Sequence, residues 1–182
     1  LLSGDYIDLG AEEVLSLLNI KNYKLKNRLL ILGLNDKKFI DKVSKRLALT
    51  KNIYRFLFEC GIDDLINVME KFDWNSTYKD NFCLRKYNLD NDEITVKKFI
   101  NKKNNKKLAE KNLAGYIWRS LDNPKVNLEN SKTEIGLFFL KGRVYCGLMI
   151  KKIGYDFDSR KSHMRPFPHP SSLHPKVARA LV

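Results

Sequence analysis

Two apolar runs that follow one another closely restrict this chain to a fold built around a sheet. Residues 135–140 and 143–150 are rich in aliphatic and aromatic side chains, and only Lys141 and Gly142 separate them. A two-residue connection that contains glycine is typical of a β-hairpin, and nearly continuous apolar runs indicate strands covered on both faces. The sequence therefore predicts a hairpin of two central strands.

Helical and strand patterns alternate along the rest of the chain. Apolar residues at helical spacing predict helices at residues 11–18, 39–48, 62–72, 94–100 and 108–121. Alternating patterns predict strands at residues 1–7, 23–26, 28–34, 53–59 and 81–87. This mixed order predicts the α+β class, with a small ferredoxin-like domain at residues 1–75 and an α/β domain at residues 76–153.

The C-terminal segment has a different character. Residues 154–170 are interpreted as a linker, because three prolines interrupt regular pairing there: Pro166, Pro168 and Pro170. Apolar residues then recur at helical spacing, with Ser172 as the predicted cap. Residues 154–182 are therefore interpreted as a linker and the first helix of a following domain, in a longer protein. A short helix docked on its own domain is the alternative.

The charge of the chain indicates a polyanionic partner. The sequence has 34 Lys+Arg against 21 Asp+Glu, a net charge of +13, and most of the excess lies in its C-terminal half. No apolar run reaches the roughly 18 residues of a membrane helix, and no secretory signal opens the sequence. We expect a cytoplasmic protein that does not contact membranes. Three widely spaced cysteines are predicted to be buried thiols: Cys60, Cys83 and Cys146.

Catalytic motifs are missing from the sequence. It contains no glycine-rich dinucleotide loop, no P-loop, no zinc-protease helix motif and no nucleophile elbow. Its histidines, His163, His169 and His174, lie in a proline-rich segment with no cysteine nearby, and are interpreted as loop residues rather than metal ligands. We therefore expect no catalytic residue and no metal site in this segment.

Lysines cluster before and at the start of the predicted helix 108–121. Residues 97–111 contain a single acidic residue, Glu110, and seven lysines: Lys97, Lys98, Lys102, Lys103, Lys106, Lys107 and Lys111. Such a cluster is either a solvated face or a phosphate-binding surface. Other basic residues favour RNA binding, namely Arg85, Lys86, Arg119, Arg160, Lys161 and Arg165. Phe82 and Trp118 are predicted to be core residues rather than stacking platforms for bases.

Three stretches together resemble one family of enzymes. They are KRLALT at residues 45–50; PKVNL at 124–128 with EIGL at 134–137 and RVYCGL at 143–148; and HMRPFPHPSSLHPKVARALV at 163–182. The first two are similar to the ferredoxin-like and THUMP modules of tRNA-modifying enzymes. The third resembles the junction that leads into the catalytic domain of the THUMP-containing tRNA guanine-N2 methyltransferases, notably the archaeal enzymes acting at guanosine 10.

The resemblance implies a division of labour. Residues 76–153 would be the THUMP module that, with its ferredoxin-like neighbour, binds tRNA. A following Rossmann-like domain would bind S-adenosyl-L-methionine and transfer the methyl group, with its glycine-rich loop and Pro-Pro-Tyr motif beyond Val182. Arg85 and Lys125 match basic positions of the THUMP pattern, whereas Asn127 stands where Asp is more usual. Arg165, His169, Pro170 and Ser171 match the junction, and the last three would border the cofactor.

Two other functions remain as alternatives. THUMP-like modules also accompany thiolation and deaminase domains, although the junction at residues 163–182 argues against those chemistries. The second alternative is a non-enzymatic RNA-binding adaptor. We expect tRNA rather than DNA as the partner, and a monomeric protein.

Overall fold

The chain forms two compact units. The computed structural model describes residues 1–34, 38–90, 108–164, 166–167, 169 and 171–182. The first unit comprises Leu1–Ile53 and Lys151–Val182, and the second comprises Tyr54–Ile150. These divisions differ from the predicted boundaries after residues 75 and 153. Trp74 is 1% exposed and packs in the core of the second unit, so the segment around it lies inside a unit.

The N-terminal part of the first unit contains two helices and a two-stranded antiparallel sheet. Its elements are α1 (Ile7–Leu18), β1 (Tyr23–Lys26), β2 (Leu29–Leu32) and α2 (Lys38–Ser44). Asn27, at φ 52°, lies in the turn between the strands. The predicted helix at residues 11–18 and both predicted strands are confirmed. The core of this unit is formed by Leu2, Ala11, Val14, Val43 and Leu47.

The prediction of a strand at residues 1–7 is wrong. All seven residues are described, and the only β pairing among them is an isolated bridge between Leu2 and Thr50. Tyr6 adopts a left-handed backbone conformation at φ 53°, which turns the chain directly into α1. A strand requires negative φ throughout, so extended structure ends before this residue.

A buried carboxylate sets the end of α2. Glu13 is 7% exposed, and its two carboxylate oxygens accept the backbone N–H groups of Ala48 at 2.6 Å and Leu49 at 2.9 Å. In an α-helix each of these N–H groups would donate to the carbonyl oxygen four residues earlier. Here both donate to Glu13 instead. Helix α2 accordingly ends at Ser44. The sequence predicts an end at residue 48, and that prediction is wrong.

The C-terminal segment belongs to the first unit. Two 3₁₀ turns, Asp158–Arg160 and Ser162–Met164, precede α5 (Pro175–Ala180). The N-cap of α5 is His174, whose Nδ1 accepts the N–H of Lys176 at 3.2 Å, so the prediction of Ser172 as the cap is wrong. Helix α5 contacts α1 within the same unit.

Most residues of a four-stranded sheet belong to the second unit. Its strands are β3 (Asn52–Gly61), β4 (Phe82–Asn88), β5 (Thr133–Leu140) and β6 (Arg143–Lys152), in the order β3-β6-β5-β4. Strand β4 is parallel to β5, and β5 is antiparallel to β6. The predicted hairpin of central strands is confirmed. Lys141 and Gly142 have φ values of 47° and 75°, as the commonest two-residue hairpin turn requires.

Two helices cover one face of this sheet. They are α3 (Leu65–Lys71) and α4 (Glu110–Ser120), and they contact one another. Between them and the sheet lies a core that includes Leu65, Met69, Phe82, Leu113, Ile117, Ile135 and Leu137. The predicted helix at residues 94–100 lies outside the described residues. No helix in the described part of the chain has the length and apolar character needed to cross a membrane.

All three cysteines are buried free thiols, as predicted. Burial raises the pKa of the thiol groups of Cys60, Cys83 and Cys146 above the ordinary value. Their thiolate forms are therefore disfavoured at neutral pH, which makes them poor nucleophiles. Their role in the fold is packing.

Candidate nucleic-acid interface

Several residues of the predicted RNA-binding set lie outside the described part of the chain. These are Lys102, Lys103, Lys106, Lys107 and Arg165, together with Pro170 of the predicted cofactor-bordering set. The structure does describe Arg85, Lys86, Lys111, Arg119, Lys125, Arg160, Lys161, His169 and Ser171. The geometry of the candidate interface is therefore built from these nine residues and their neighbours.

Lys86 on β4 is committed to contacts inside the second unit. Its ammonium group donates to the carbonyl oxygen of Leu108 at 3.1 Å and lies 4.7 Å from the centroid of the Phe139 ring. Its backbone N–H donates to the carboxylate of Glu110 at 2.6 Å. Burial lowers the pKa of this ammonium group, and the charge of Glu110 opposes that shift. Lys86 thus links β4 to the start of α4.

Arg85, the preceding residue on β4, holds a loop. Its guanidinium donates to the carbonyl oxygen of Leu128. In the same loop the side-chain oxygen of Asn127 accepts the N–H groups of Glu129 at 3.1 Å and Asn130 at 2.9 Å. A carboxylate oxygen of Asp would accept the same two bonds, so Asn at this position preserves the acceptor of the turn. Arg85 is half-buried and its guanidinium is partly used in this structural contact.

The aromatic residue beside these two cations is also packed. The Tyr87 ring stacks on Phe138 with centroids 5.0 Å apart and planes at 11°. Tyr54 meets Phe138 edge-on at 4.9 Å, and its hydroxyl donates to the Tyr87 hydroxyl at 3.3 Å. These rings pack against one another, which leaves less ring surface on β4 for stacking with bases.

The exposed face of α4 presents a different combination of residues. Trp118 is 46% exposed, which shows that its prediction as a core residue is wrong, whereas Phe82 at 1% is in the core as predicted. Helical spacing explains the difference: Leu113 and Ile117 point into the core, and the next residue, about 100° further round the helix, does not. Applying the same period to the sequence would have identified Trp118 as exposed.

Basic groups flank this tryptophan on α4. Lys111 and Arg119 are exposed, and the Arg119 guanidinium lies 5.3 Å from the centroid of the Tyr116 ring. Gly115, between Lys111 and Trp118 on the same helical face, would place a β-carbon in open space. We call Lys111, Gly115, Trp118 and Arg119 the exposed α4 face. An exposed indole with adjacent cations can stack on an unpaired base while the cations bind phosphates.

Lys125 is exposed, and its backbone is held in place. Its N–H donates to the Tyr78 hydroxyl at 3.0 Å, and its carbonyl oxygen accepts the N–H of Phe82 at 2.9 Å. The backbone at Lys125 is fixed, and its flexible four-carbon side chain extends into solvent. The ammonium group can therefore contact a phosphate.

The remaining candidates belong to the first unit. The Arg160 guanidinium lies 5.2 Å from the centroid of the Phe157 ring, and Lys161 is half-buried. His169 and Ser171 are exposed, and the His169 Nδ1 accepts the Ser171 N–H at 3.2 Å. No cluster of three or more His, Cys, Asp or Glu residues that could hold a metal ion occurs among the described residues.

Sequence comparison finds curated proteins similar to this chain, although no family model matches it. The chain is 28% identical over 178 residues to the tRNA (guanine(10)-N2)-dimethyltransferase of Pyrococcus abyssi, covering 96% of this chain and 50% of that protein. It is 28% identical over 143 residues to the enzyme of the same name from Methanothermobacter thermautotrophicus, covering 77% and 38%. The chain thus spans half or less of the length of these relatives.

Solved structures share the fold at lower sequence identity. TrmN from Thermus thermophilus superposes with a TM-score of 0.60 at 15% identity, over 96% of this chain and 50% of that chain. A predicted N6-adenine-specific DNA methylase from Listeria monocytogenes gives a TM-score of 0.58 at 12% identity, over 99% and 46%. The sequence relatives support a relationship to tRNA methyltransferases, and the solved structures share the mixed α+β fold.

Proposed function

We propose that this chain is the tRNA-binding N-terminal region of an S-adenosyl-L-methionine-dependent tRNA guanine-N2 methyltransferase acting at guanosine 10. The observation that carries the proposal is the similarity to tRNA (guanine(10)-N2)-dimethyltransferases, which extends over 96% of the chain rather than over one motif. In this proposal, residues 76–153 are the THUMP module and the region holds tRNA for a catalytic domain that follows it.

Charge and surface chemistry support tRNA as the partner. The net charge of +13 favours a polyanion, and the lysine cluster of residues 97–111 runs into the start of α4. The exposed α4 face, which follows that cluster in the sequence, adds Trp118 and Arg119. Aromatic and basic groups together suit folded RNA, which offers unpaired bases as well as phosphates.

His169 and Ser171, the described members of the predicted cofactor-bordering set, do not by themselves form a site for S-adenosyl-L-methionine. His169 and Ser171 are exposed, and the hydrogen bond given for them joins one to the other. A cofactor of this size requires an enclosed cavity with convergent polar groups. We therefore assign the cofactor and the methyl transfer to a following domain. His169, Pro170 and Ser171 of this segment would border the cofactor pocket of that domain.

Binding by a separate region serves specificity in such an enzyme. A rigid grip on one part of a folded RNA determines which nucleotide a distant active site can reach. The exocyclic amine of guanine is engaged in pairing or stacking within tRNA, so the nucleotide must also leave its stack. Holding the RNA body supplies a fixed frame for that movement.

A filter-binding experiment with charge-reversed variants tests the tRNA-binding role. Changing Lys102, Lys103, Lys106 and Lys107 to Glu should weaken tRNA binding and reduce the magnitude of the log-log salt slope by about 3, because each lost phosphate contact removes about 0.7 to 0.9. The matched control reverses four exposed lysines of the first unit: Lys21, Lys24, Lys42 and Lys152. If the two sets of substitutions weaken tRNA binding equally, the lysine cluster does not form part of the tRNA interface.

A second experiment tests the junction in a protein that carries the following domain. Replacing Arg165 by Gln and His169 by Ala should lower methyl transfer to guanosine 10 more than it lowers tRNA affinity. Lys152→Gln serves as the surface control. The opposite ranking, with affinity lost and methyl transfer at saturating tRNA retained, would contradict a role beside the cofactor.

A further inference from the structure

The loop of residues 125–132 follows the edge strand β4 and exposes two aliphatic side chains. Val126 is 49% exposed and Leu128 is 59% exposed, and both lie close in sequence to the exposed Lys125. Burial of aliphatic side chains is favourable, so a mobile loop would tend to turn such side chains away from solvent. Hydrogen bonds to β4 prevent this loop from doing so.

The first residues of the loop pair with the start of β4. The Phe82 N–H donates to the carbonyl oxygen of Lys125 at 2.9 Å, and the Phe82 carbonyl oxygen accepts the N–H of Asn127 at 3.1 Å. These bonds form a parallel bridge between Phe82 and Val126. The Tyr78 hydroxyl accepts the Lys125 N–H at 3.0 Å. The backbone of Val126 is therefore held at a fixed position on the edge of the sheet.

Two side chains of β4 hold the rest of the loop. Cys83 and Arg85 are two residues apart on the strand, so they point to the same face of the sheet. The Cys83 thiol and the Ser131 hydroxyl share a hydrogen bond at 2.9 Å, and the Arg85 guanidinium donates to the carbonyl oxygen of Leu128. Arg85 therefore fixes the backbone at the residue whose aliphatic side chain lies in solvent.

A fixed loop that exposes aliphatic side chains beside a cation suits a nucleotide of RNA. A nucleotide combines an anionic phosphate with a sugar and a base that have apolar surface, so Lys125 and Leu128 can contact different parts of it. The net charge of +13 favours such an anionic partner. Because the loop is ordered before binding, the complex does not bear the entropic cost of ordering it.

We propose that the loop of residues 125–132 is a preorganised tRNA contact, in which Leu128 packs on the sugar or base of a nucleotide and Arg85 is the positioning residue that holds Leu128. This inference rests on the proposed tRNA-binding function and refines it, because it gives Arg85 an indirect role.

A positioning role for Arg85 and a direct phosphate contact predict different salt dependence. A phosphate contact releases counterions, so loss of the cation would reduce the magnitude of the log-log salt slope by about 0.7 to 0.9. Loss of a positioning residue weakens binding through the apolar contact, and that contact releases no counterions. The salt slope therefore separates the two roles.

Filter binding of full tRNA to the 182-residue chain at several salt concentrations tests this assignment. Leu128→Ala should weaken binding about fivefold at an unchanged slope, as expected when about half of a leucine side chain is buried on binding. Arg85→Gln should weaken binding about threefold, also at an unchanged slope, because binding must then order the loop. Lys125→Gln should reduce the slope by about 0.7 to 0.9. The control Leu181→Ala changes a 61% exposed leucine of the first unit and should alter neither quantity.

A double-mutant cycle and NMR relaxation link Arg85 to Leu128. In the Leu128→Ala background, Arg85→Gln should weaken tRNA binding by less than about 1.5-fold, because two residues that act through one contact are not additive. In Arg85→Gln alone, the backbone order parameters of residues 128–130 should fall below those of the parent chain, whereas those of residues 144–146 should stay near about 0.85.

The outcomes separate this inference from the proposed function. A reduced slope in Arg85→Gln, additive losses in the double variant, or unchanged order parameters in Arg85→Gln would overturn the positioning role. Unchanged affinity in Leu128→Ala would overturn the loop as a tRNA contact. In each of these cases the parent chain still binds tRNA, so the proposed function stands. Failure of the parent chain to bind tRNA would contradict the proposed function, and this inference with it.

Discussion

The ammonium group of Lys86 lies 4.7 Å from the centroid of the Phe139 ring on the neighbouring strand β5. The same group donates to the carbonyl oxygen of Leu108. Both contacts lie within the second unit, so Lys86 has a structural role there. Its prediction as an RNA-binding residue can be separated from this structural role by experiment.

Lys86→Met should lower stability more than RNA affinity. The variant loses a hydrogen bond and a cation–π contact, and we expect a decrease of about 1 kcal/mol in the free energy of unfolding. tRNA affinity should change by less than about twofold, roughly 0.4 kcal/mol. Urea denaturation and filter binding measure the two quantities. A large loss of affinity with unchanged stability would restore Lys86 to the interface.

The pH dependence of the same variant provides a second readout. Burial lowers the pKa of the Lys86 ammonium in the folded chain, so the unfolded chain retains this proton to higher pH. Stability of the parent chain should therefore gain from this group as pH rises from the lowered pKa toward about 10.4. Lys86→Met should lack that gain. Parallel stability curves for the two proteins would contradict the burial argument.

Trp118→Ala should weaken binding to RNA with unpaired bases. Stacking of a base on an aromatic side chain contributes about 1–3 kcal/mol, so we expect affinity to fall by roughly tenfold. Stability should change little, because the side chain is 46% exposed. Phe56→Ala is the matched control, since Phe56 is a 53% exposed aromatic residue of the same unit. Equal effects of the two substitutions would refute a specific role for Trp118.

Glu13→Ala should strongly destabilise the first unit. The substitution leaves the buried N–H groups of Ala48 and Leu49 without their acceptors, and we expect a loss of about 3 kcal/mol. Glu12→Ala, at the exposed neighbouring position, should stay within about 0.5 kcal/mol of the parent. Chemical denaturation followed by circular dichroism measures both. A neutral Glu13→Ala would mean that these bonds do not hold the chain after α2.

Two glycines of the second unit should respond in opposite ways to alanine. At Gly136 a β-carbon would lie 2.9 Å from ring atoms of Phe138 and Tyr54, so overpacking should cost about 1–3 kcal/mol. At Gly115 a β-carbon meets open space within α4, so alanine should stabilise the helix by about 1 kcal/mol. Thermal unfolding of the pair measures this. Destabilisation by Gly115→Ala would indicate a close neighbour on the exposed α4 face.

Local patterns predicted the hairpin and most helices of this chain. Lys141 and Gly142 between two apolar runs identified the hairpin because turn chemistry and strand length are both local. The core face of α4 followed from helical spacing in the same way. The prediction that Trp118 lies in the core is wrong, because this residue follows Ile117 and lies outside the core face of the helix.

Features that depend on distant residues were not predictable. The end of α2 depends on hydrogen bonds from Glu13, 35 residues before Ala48. The left-handed Tyr6 that replaces the predicted first strand has no sequence signal, because tyrosine rarely adopts that conformation. Lys51 and Lys176 line one cavity of the first unit, although they lie 125 residues apart in the sequence. Such contacts are set by tertiary packing rather than by local pattern.

The most direct test of the tRNA-binding role is a filter-binding series with the parent chain at several salt concentrations. Full tRNA, acceptor-truncated tRNA and a DNA duplex of similar charge are compared. We expect the full tRNA to bind tightest, with a log-log salt slope of about −4 to −5 for roughly six phosphate contacts. Tighter binding to duplex DNA than to tRNA at cellular ionic strength, or a slope near zero for tRNA, would contradict the account.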